Sequence, residues 1–207
     1  MTGTVFLVDD DASVLSAVAR LIRSAGHRVE AFASPREFLE RSQVDQPGCL
    51  VVDLRMPEVN GLEVQEAITR AGRPIPVILM SGQADVQSTV KAMKGGAIDF
   101  LIKPFDEQLL LEAIHRAITH DTEARAARAE HDILVARFNL LTPRERSVCL
   151  LVAAGRLNKQ IAGELGVSEK TIKAHRAKVM KKLGARSIAE LVRMVDRVSE
   201  VKPAAPS

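Results

Sequence analysis

Four short runs of aliphatic residues, spaced along the first 105 positions, constrain the fold of this chain more than any other feature. The runs are Val5-Phe6-Leu7-Val8, Cys49-Leu50-Val51-Val52, Val77-Ile78-Leu79-Met80 and Phe100-Leu101-Ile102. None shows the polar–apolar alternation of a half-exposed strand, so each predicts a strand that is buried on both faces, as in a parallel sheet. Residues 28–32 mix polar and apolar side chains and predict a fifth, more exposed strand.

Helical patterns lie between these strands. Residues 12–25, 62–71, 86–93 and 107–120 predict four helices, and Ser34-Pro35 begins another with a cap and a proline in its first turn. Strands that alternate with helices in this way predict an α/β domain over residues 1–120, with a doubly wound five-stranded parallel sheet. Residues 121–138 are rich in Ala, Arg and Glu without Gly or Pro, which predicts a helical linker.

After residue 138 the pattern is helical throughout. Thr142-Pro143-Arg144-Glu145 predicts a capping box with proline at the first helical position, and glycines further along separate four helices. Residues 139–199 therefore predict an all-α domain. Two of its helices, joined by a short glycine turn, form a helix-turn-helix at about 158–177, whose second helix would enter the major groove of DNA. We expect residues 200–207 to be a disordered tail.

The charge of the chain changes sign between these parts. Residues 1–120 contain 12 Lys and Arg against 16 Asp and Glu, whereas residues 142–207 contain 14 against 6. A basic last third predicts a polyanionic partner. The sequence shows no signal peptide and no apolar run near the roughly 20 residues of a membrane helix. With one cysteine in each half there is no disulfide framework, so we expect a cytoplasmic protein with no membrane partner.

Polar side chains follow four of the predicted strands. They are carboxylates, a hydroxyl and an ammonium: Asp9, Asp10, Asp11, Asp53, Ser81 and Lys103. Because the carboxyl ends of parallel strands meet at one edge of a sheet, we expect these groups to lie together. Clustered carboxylates need a cation, and oxygen ligands without His or Cys favour Mg²⁺. One aspartate is then free to accept a phosphoryl group as a nucleophile.

Simpler interpretations of these residues also exist. Asp11 would cap the first helix rather than serve the site. Lys103 alone could be a solvated surface lysine, but Pro104 follows it, and a cis peptide bond there would direct the lysine inward.

The motifs Val8-Asp9-Asp10, Asp53-Leu54-Arg55-Met56-Pro57 with Gly61, Ser81-Gly82 and Lys103-Pro104-Phe105 resemble the receiver domain of two-component response regulators. The match runs from residue 4 to about 120, and residues 92–100 are similar to the FixJ-like subfamily. The resemblance implies a phosphoacceptor at Asp53, served by a sensor histidine kinase.

Further roles at this site follow from the same resemblance. Mg²⁺ would be bound by Asp9 (through water), Asp10, Asp53 and the backbone carbonyl of Arg55. Ser81 and Lys103 would contact the phosphoryl oxygens. Phe100 would turn inward when Ser81 moves, a role that is compatible with a place in the core.

The basic third resembles LuxR-type output domains through Leu141-Thr142-Pro143-Arg144-Glu145, Gly155, Asn158-Lys159-Gln160-Ile161-Ala162 and Ser168-Glu169-Lys170-Thr171-Ile172-Lys173-Ala174-His175. The second helix of the motif carries six cations at positions expected to face outward: Lys170, Lys173, Arg176, Lys178, Lys181 and Lys182. Pattern and resemblance together predict DNA contacts by Lys159, Lys170, Thr171, Lys173, Ala174, Arg176 and Lys178. The chain has no Trp or Tyr to stack on single strands, which favours double-stranded DNA.

These features predict a DNA-binding transcriptional response regulator. Phosphorylation on Asp53 would promote receiver dimerisation and operator binding, with RNA polymerase as a further candidate partner and no enzyme activity beyond self-phosphorylation and slow autodephosphorylation. A second hypothesis is a phosphatase of the haloacid-dehalogenase type, which Asp9-Asp10-Asp11-Ala12-Ser13 resembles superficially, although the glycine of that motif is missing. A third is a phosphate sink or adaptor that binds no DNA, which the basic C-terminal region disfavours.

Overall fold

The computed structural model describes residues 3–40, 46–72, 75–83 and 86–200. The chain divides into two compact units, Met1–Arg125 and Ala126–Ser207. Of the predicted tail at 200–207, only residue 200 is described, as the end of the last helix; the rest lies outside the described residues. No helix among the described residues is both long and apolar enough to cross a membrane.

The first unit contains the predicted parallel sheet. Its strands are β1 (Thr4–Val8), β2 (Arg28–Phe32), β3 (Gly48–Asp53), β4 (Val77–Ser81) and β5 (Asp99–Ile102), in the order β2-β1-β3-β4-β5. Every neighbouring pair is parallel. Strands β1, β3 and β4 are buried along their whole length, whereas β2 at one edge is partly exposed, as the residue patterns predict. The prediction that β5 is buried on both faces is wrong: it lies at the other edge of the sheet, and Ile102 is 46% exposed. The order places the ends of β1 and β3 side by side.

Helices cover both faces of this sheet. They are α1 (Ala12–Ser24), α2 (Pro35–Glu40), α3 (Gly61–Arg70), α4 (Val86–Lys94) and the first part of α5 (Glu107–Asn139). Successive residues of β1 point to opposite faces, so Val5 and Leu7 pack with α1 and α5, whereas Phe6 packs on the side of α2 and α3. The core therefore consists of two apolar layers with the sheet between them.

Helix α5 continues for 33 residues without a break. The residues predicted as a linker are thus helical throughout. Asp121 is buried in the first unit, where its Oδ2 accepts a hydrogen bond from the Gly48 amide at 2.9 Å and pairs with Arg125 at 2.7 Å. Further along α5, Leu134 is also buried, and Phe138 belongs to the core of the second unit.

The second unit is entirely helical over its described residues. Its further helices are α6 (Pro143–Ala153), α7 (Asn158–Leu165), α8 (Glu169–Leu183) and α9 (Ile188–Glu200). The predicted capping box is present at the start of α6: the Thr142 side chain accepts from the Glu145 amide, and the Glu145 carboxylate accepts from the Thr142 amide. Gly166 and Gly184, with φ of 66° and 73°, end α7 and α8 in the left-handed conformation that glycine adopts at little cost.

Candidate functional site

Two buried carboxylates share one ammonium at the carboxyl edge of the sheet. Asp9 follows β1 and Asp53 ends β3, and they are 1% and 6% exposed. Lys103, directly after β5, places Nζ 2.6 Å from Asp9 Oδ2 and 2.5 Å from Asp53 Oδ1. The Lys103–Pro104 peptide bond is cis, as the sequence suggested. Three residues far apart in the chain are thereby brought together as predicted.

Each oxygen of these two carboxylates has a hydrogen-bond donor. Asp9 Oδ1 accepts from the Asp11 amide at 3.0 Å, and Asp53 Oδ2 accepts from the Arg55 amide at 2.7 Å. Burial opposes the charge on Lys103, but the hydrogen bonds and negative charge of Asp53 and Asp9 outweigh it, so the pKa of Lys103 is raised above its ordinary value. The lysine is therefore fully charged at neutral pH.

The neighbouring acids Asp10 and Asp11 have different surroundings. Asp10 is exposed beside the site. Asp11 caps α1, where its carboxylate accepts from the amides of Ser13 and Val14 at 2.8 and 3.2 Å. These two backbone hydrogen bonds lower the pKa of Asp11, and the capping interpretation of this residue is confirmed. Within the described parts of the chain, no three His, Cys, Asp or Glu side chains form a ready-made metal cluster.

Ser81 and Phe100 lie on the neighbouring strands β4 and β5. Ser81 is fully buried at the end of β4, and its hydroxyl donates to the Gln83 carbonyl at 2.9 Å and accepts from the Gln83 amide at 3.3 Å. Phe100 in β5 is half-buried against the apolar layer that includes α3 and α4. The serine hydroxyl is thus engaged by its own loop rather than by Asp53 in this state.

Gly61 fixes the chain segment that follows the phosphoacceptor candidate. Its amide donates to the Leu54 carbonyl at 3.0 Å. A Cβ atom at this position would lie 2.5 Å from the Asp53 carbonyl oxygen and 2.8 Å from Leu79 Cδ2. Only glycine allows α3 to begin this close to the backbone of Asp53.

Large apolar side chains are exposed on the part of the first unit formed by α4, β5 and the start of α5. They are Val86, Val90, Met93, Ile102 and Leu109, each 45% exposed or more. An apolar group of this kind on a helix and its neighbouring strand suits contact with another protein surface.

The helix-turn-helix of the second unit is formed by α7 and α8. Ser168 caps α8 and accepts from the Thr171 amide at 3.2 Å. Apolar residues of both helices belong to one core, with Ile161, Ile172 and Leu183 fully buried. Five of the predicted DNA contacts are exposed: Lys159, Lys170, Lys173, Ala174 and Lys178.

The two remaining predicted contacts are partly engaged within the motif. Thr171 Oγ1 lies 2.9 Å from Ser168 Oγ, and Arg176 of α8 donates to Asn158 Oδ1 of α7. Both side chains are half-buried. Their first role is therefore to fix α8 against the cap and α7.

The prediction that Lys182 points outward is wrong. Its Nζ donates to the Leu140 carbonyl at 3.0 Å and pairs with the buried Glu145 carboxylate at 2.6 Å. The hydrogen bond from Lys182 to the Glu145 carboxylate, together with the one from the Thr142 amide, lowers the pKa of Glu145 to about 2. The sequence pattern of α8 did not separate Lys182 from the exposed lysines around it, because the partners of Lys182 lie about 40 residues away in the chain.

Sequence reasoning missed two arginines that bind helix ends. Arg144 of α6 donates to the carbonyl of Leu165, the last residue of α7. Arg137 of α5 donates to the carbonyl of Leu183, the last residue of α8, at 3.2 Å. The spacing of Leu134, Phe138 and Leu141, four and three residues apart, is the signal that would have placed the end of α5 in this unit.

Comparison with known proteins agrees with both halves of the molecule. Residues 5–115 match the response regulator receiver domain, and residues 139–195 match the bacterial regulatory proteins of the luxR family. Nodulation protein W of Bradyrhizobium diazoefficiens is 46% identical over 190 residues, which cover 92% of this chain and 84% of that protein. The transcriptional regulatory protein FixJ of the same species is 39% identical over 195 residues, covering 94% and 95%.

A solved structure gives the same result. The response regulator StyR is 48% identical, has a TM-score of 0.84, and matches 94% of this chain and 98% of its own. The chain therefore belongs to the FixJ/NarL-type response regulators, which join a receiver domain to a LuxR-type DNA-binding domain.

Proposed function

We propose that Asp53 accepts a phosphoryl group from a phosphohistidine of a sensor kinase, and that this modification promotes receiver dimerisation and operator binding. The observation that carries the proposal is the ammonium of Lys103 between the buried carboxylates of Asp9 and Asp53. Such an arrangement costs desolvation energy and contributes little to packing, which favours a functional role.

The surroundings of Asp53 suit a phosphoacceptor. Attack by a carboxylate oxygen would form an oxygen–phosphorus bond as the nitrogen–phosphorus bond of the donor breaks. In the acyl phosphate the aspartyl carbonyl carries no charge, and the negative charge lies on the phosphoryl oxygens. Lys103 would therefore lose the Asp53 carboxylate as a partner and could bind the phosphoryl oxygens instead. Ser81 would reach the same oxygens by giving up its hydrogen bonds to Gln83.

The residues at this edge also fit a bound Mg²⁺. One ammonium faces two buried carboxylates, and exposed Asp10 adds a third. The atoms available to bind a metal here are oxygens, the ligands that Mg²⁺ prefers. Asp9, Asp10, Asp53 and the Arg55 carbonyl would hold the ion, which when bound would offset the charge of the incoming phosphoryl oxygens.

The exposed apolar side chains on α4, β5 and α5 support dimerisation through this face. Two paired receivers would bring together two output domains, which suits an operator with two related half-sites. Lys159, Lys170, Lys173 and Lys178 are exposed and available for DNA. On this proposal the chain is a phosphoacceptor and regulator rather than an enzyme with turnover. A cytoplasmic location and contact with RNA polymerase stay predictions.

Mass spectrometry after treatment with acetyl phosphate and Mg²⁺ tests the proposal. The wild type should gain a labile adduct of about 80 Da, the mass of one phosphoryl group. Asp53→Asn should gain none, whereas Asp132→Asn, which removes an exposed carboxylate from α5, should behave as wild type. Treated wild type should also bind duplex DNA more tightly than untreated protein. An adduct on Asp53→Asn, or equal DNA affinity before and after treatment, would contradict the proposal.

A further inference from the structure

The end of α5 and the last turn of α8 are joined by hydrogen bonds in both directions. Arg137 Nη1 donates to the Leu183 carbonyl at 3.2 Å. Lys182 Nζ donates back to the Leu140 carbonyl at 3.0 Å. We name these four residues, Arg137, Leu140, Lys182 and Leu183, the clasp.

The clasp acts on a helix end whose carbonyls need partners. The last four carbonyls of a helix receive no hydrogen bond from an amide of the same helix, and Leu183 is the final residue of α8. A Cβ atom on Gly184 would lie 3.0 Å from Arg137 Nη1, so the guanidinium lies directly against the helix terminus. A cation at this point also complements the negative end of the helix dipole.

The segment that supplies Arg137 is firmly attached to the second unit. Phe138 is 9% exposed, and the guanidinium carbon of Arg146 lies 4.9 Å from the centre of its ring. Arg146 also donates to Asn139 Oδ1 at 3.2 Å. The end of α5 is therefore part of this domain, although the family match begins only at residue 139.

We propose that Arg137 is a positioning residue for DNA recognition. By holding the last turn of α8, it fixes the direction of the helix that presents Lys173, Ala174 and Lys178. Helix α8 has 15 residues, a length of about 22 Å, so a small tilt at its end displaces the base-reading side chains. This inference rests on the proposed DNA binding and adds to it a residue that does not itself touch DNA.

The test uses the full-length chain, treated with acetyl phosphate and Mg²⁺, and two probes. The first is a pool of short duplexes of random sequence, and the second is a duplex that the wild type selects from that pool. Arg137→Ala is compared with Arg128→Ala, which removes the same charge from an exposed position of the same helix. Arg137→Lys tests whether another cationic hydrogen-bond donor at this position preserves the preference for the selected duplex. Amide hydrogen exchange at residues 181–185 reports on the last turn of α8 without DNA.

We expect Arg137→Ala to speed exchange at residues 181–185 and to weaken binding to the selected duplex about tenfold. Its binding to the random pool should fall no more than that of Arg128→Ala. The ratio of affinity for the selected duplex to affinity for the random pool should therefore fall. Arg137→Lys should recover part of that ratio. Should Arg137→Ala fail to fold, Arg137→Gln, which is also neutral but keeps most of the side chain, takes its place.

If amide exchange at residues 181–185 were unchanged in Arg137→Ala, the inference that the clasp holds the last turn of α8 would be overturned. Faster exchange with an unchanged affinity ratio would overturn the positioning role while leaving the contact intact. If the wild type bound neither probe, the proposed DNA binding would fail, and with it the role of Arg137 in recognition; the exchange rates would then show separately whether the clasp holds α8.

Discussion

The Nζ atom of Lys103 lies 2.5 Å from the Oδ1 atom of Asp53, although β4 separates the strands that end near these two residues. The same Nζ is 2.6 Å from Asp9. One positive charge thus serves two buried negative charges. The loss of this lysine would leave both carboxylates without their shared cation.

Lys103→Ala should lower the free energy of unfolding of the receiver by about 2 kcal/mol without divalent ions, because hydrogen bonds to charged groups are lost. Mg²⁺ should then raise the melting temperature of this variant more than that of the wild type, since binding to the native state stabilises it by mass action. Calorimetry with EDTA and with Mg²⁺ measures both effects. Lys91→Ala, at an exposed position of α4, is the control. An equal response to Mg²⁺ in all three proteins would refute the expectation.

Gly61→Ala should destabilise the receiver by about 1–3 kcal/mol, the usual cost of forcing an atom into a packed site. The added Cβ would meet the Asp53 carbonyl oxygen at 2.5 Å, and backbone atoms there cannot move aside easily. Gly82→Ala is the matched control, because a Cβ at that position has no atom within 4 Å. Urea unfolding compares the two variants. Similar stabilities would mean that the close approach at Gly61 is not restrictive.

Glu145 predicts an acid-sensitive output domain. The Lys182 hydrogen bond lowers the pKa of Glu145 from 4.5 to about 2, so its contribution to stability is complete above pH 4.5 and is lost as the pH falls towards 2. Glu145→Gln should remove this pH dependence, whereas Glu164→Gln, at an exposed position of α7, should keep it. The chain has no Trp or Tyr, so hydrogen exchange in α6 and α8 is the suitable readout. A wild-type pH profile in Glu145→Gln would count against this role.

The cations of α8 should differ in their effect on the salt dependence of DNA binding. Lys173→Ala and Lys178→Ala remove exposed charges, and each should reduce the slope of log affinity against log salt by about 0.9 if it loses one phosphate contact. Lys182→Ala should leave the slope unchanged and lower thermal stability, because this side chain binds Leu140 and Glu145. Titrations at several salt concentrations measure the slopes. The same reduction for Lys182→Ala would show that it contacts DNA after all.

Exposed apolar residues on α4 should mediate pairing of phosphorylated receivers. Val90→Asp places a charge in that face, where Val90 is 45% exposed, and should weaken dimerisation at least tenfold, or about 1.4 kcal/mol. Ile133→Asp, at a position of α5 that is 55% exposed, should not. Sedimentation equilibrium with acetyl phosphate and Mg²⁺ gives the dissociation constants, and the mass of the adduct shows that phosphorylation itself is intact. Dimers of equal strength would place the interface elsewhere.

The parts of this molecule that follow from local sequence were predictable. The four-residue aliphatic run Val77–Met80 is too short for a helix and predicted the buried strand β4, and the Thr142 capping box defines the start of α6 to the residue. The edge of the sheet was also predictable, because parallel strands bring their carboxyl ends together whatever the details of packing. That rule alone placed Asp9, Asp53 and Lys103 side by side.

The long-range hydrogen bonds were not predictable in the same way. Lys182 and Lys181 are adjacent in a run of cations, yet only packing against Leu140 and Glu145 turns one of them inward. Arg137 finds its acceptor 46 residues later in the chain. Periodicity describes which face of a helix is apolar, but it contains no information on which carbonyl a long side chain will reach.

Strand β3 is held at its two ends by different side chains. The Gly48 amide at its start donates to Asp121 of α5, and Asp53 at its end binds Lys103. About 17 Å of extended backbone joins these two points, and such a strand cannot lengthen without breaking the hydrogen bonds to its neighbours. A force applied to α5 at Asp121 should therefore act on the backbone that leads to Asp53, and a single-molecule force experiment on the receiver can measure whether it releases the Lys103–Asp53 pair.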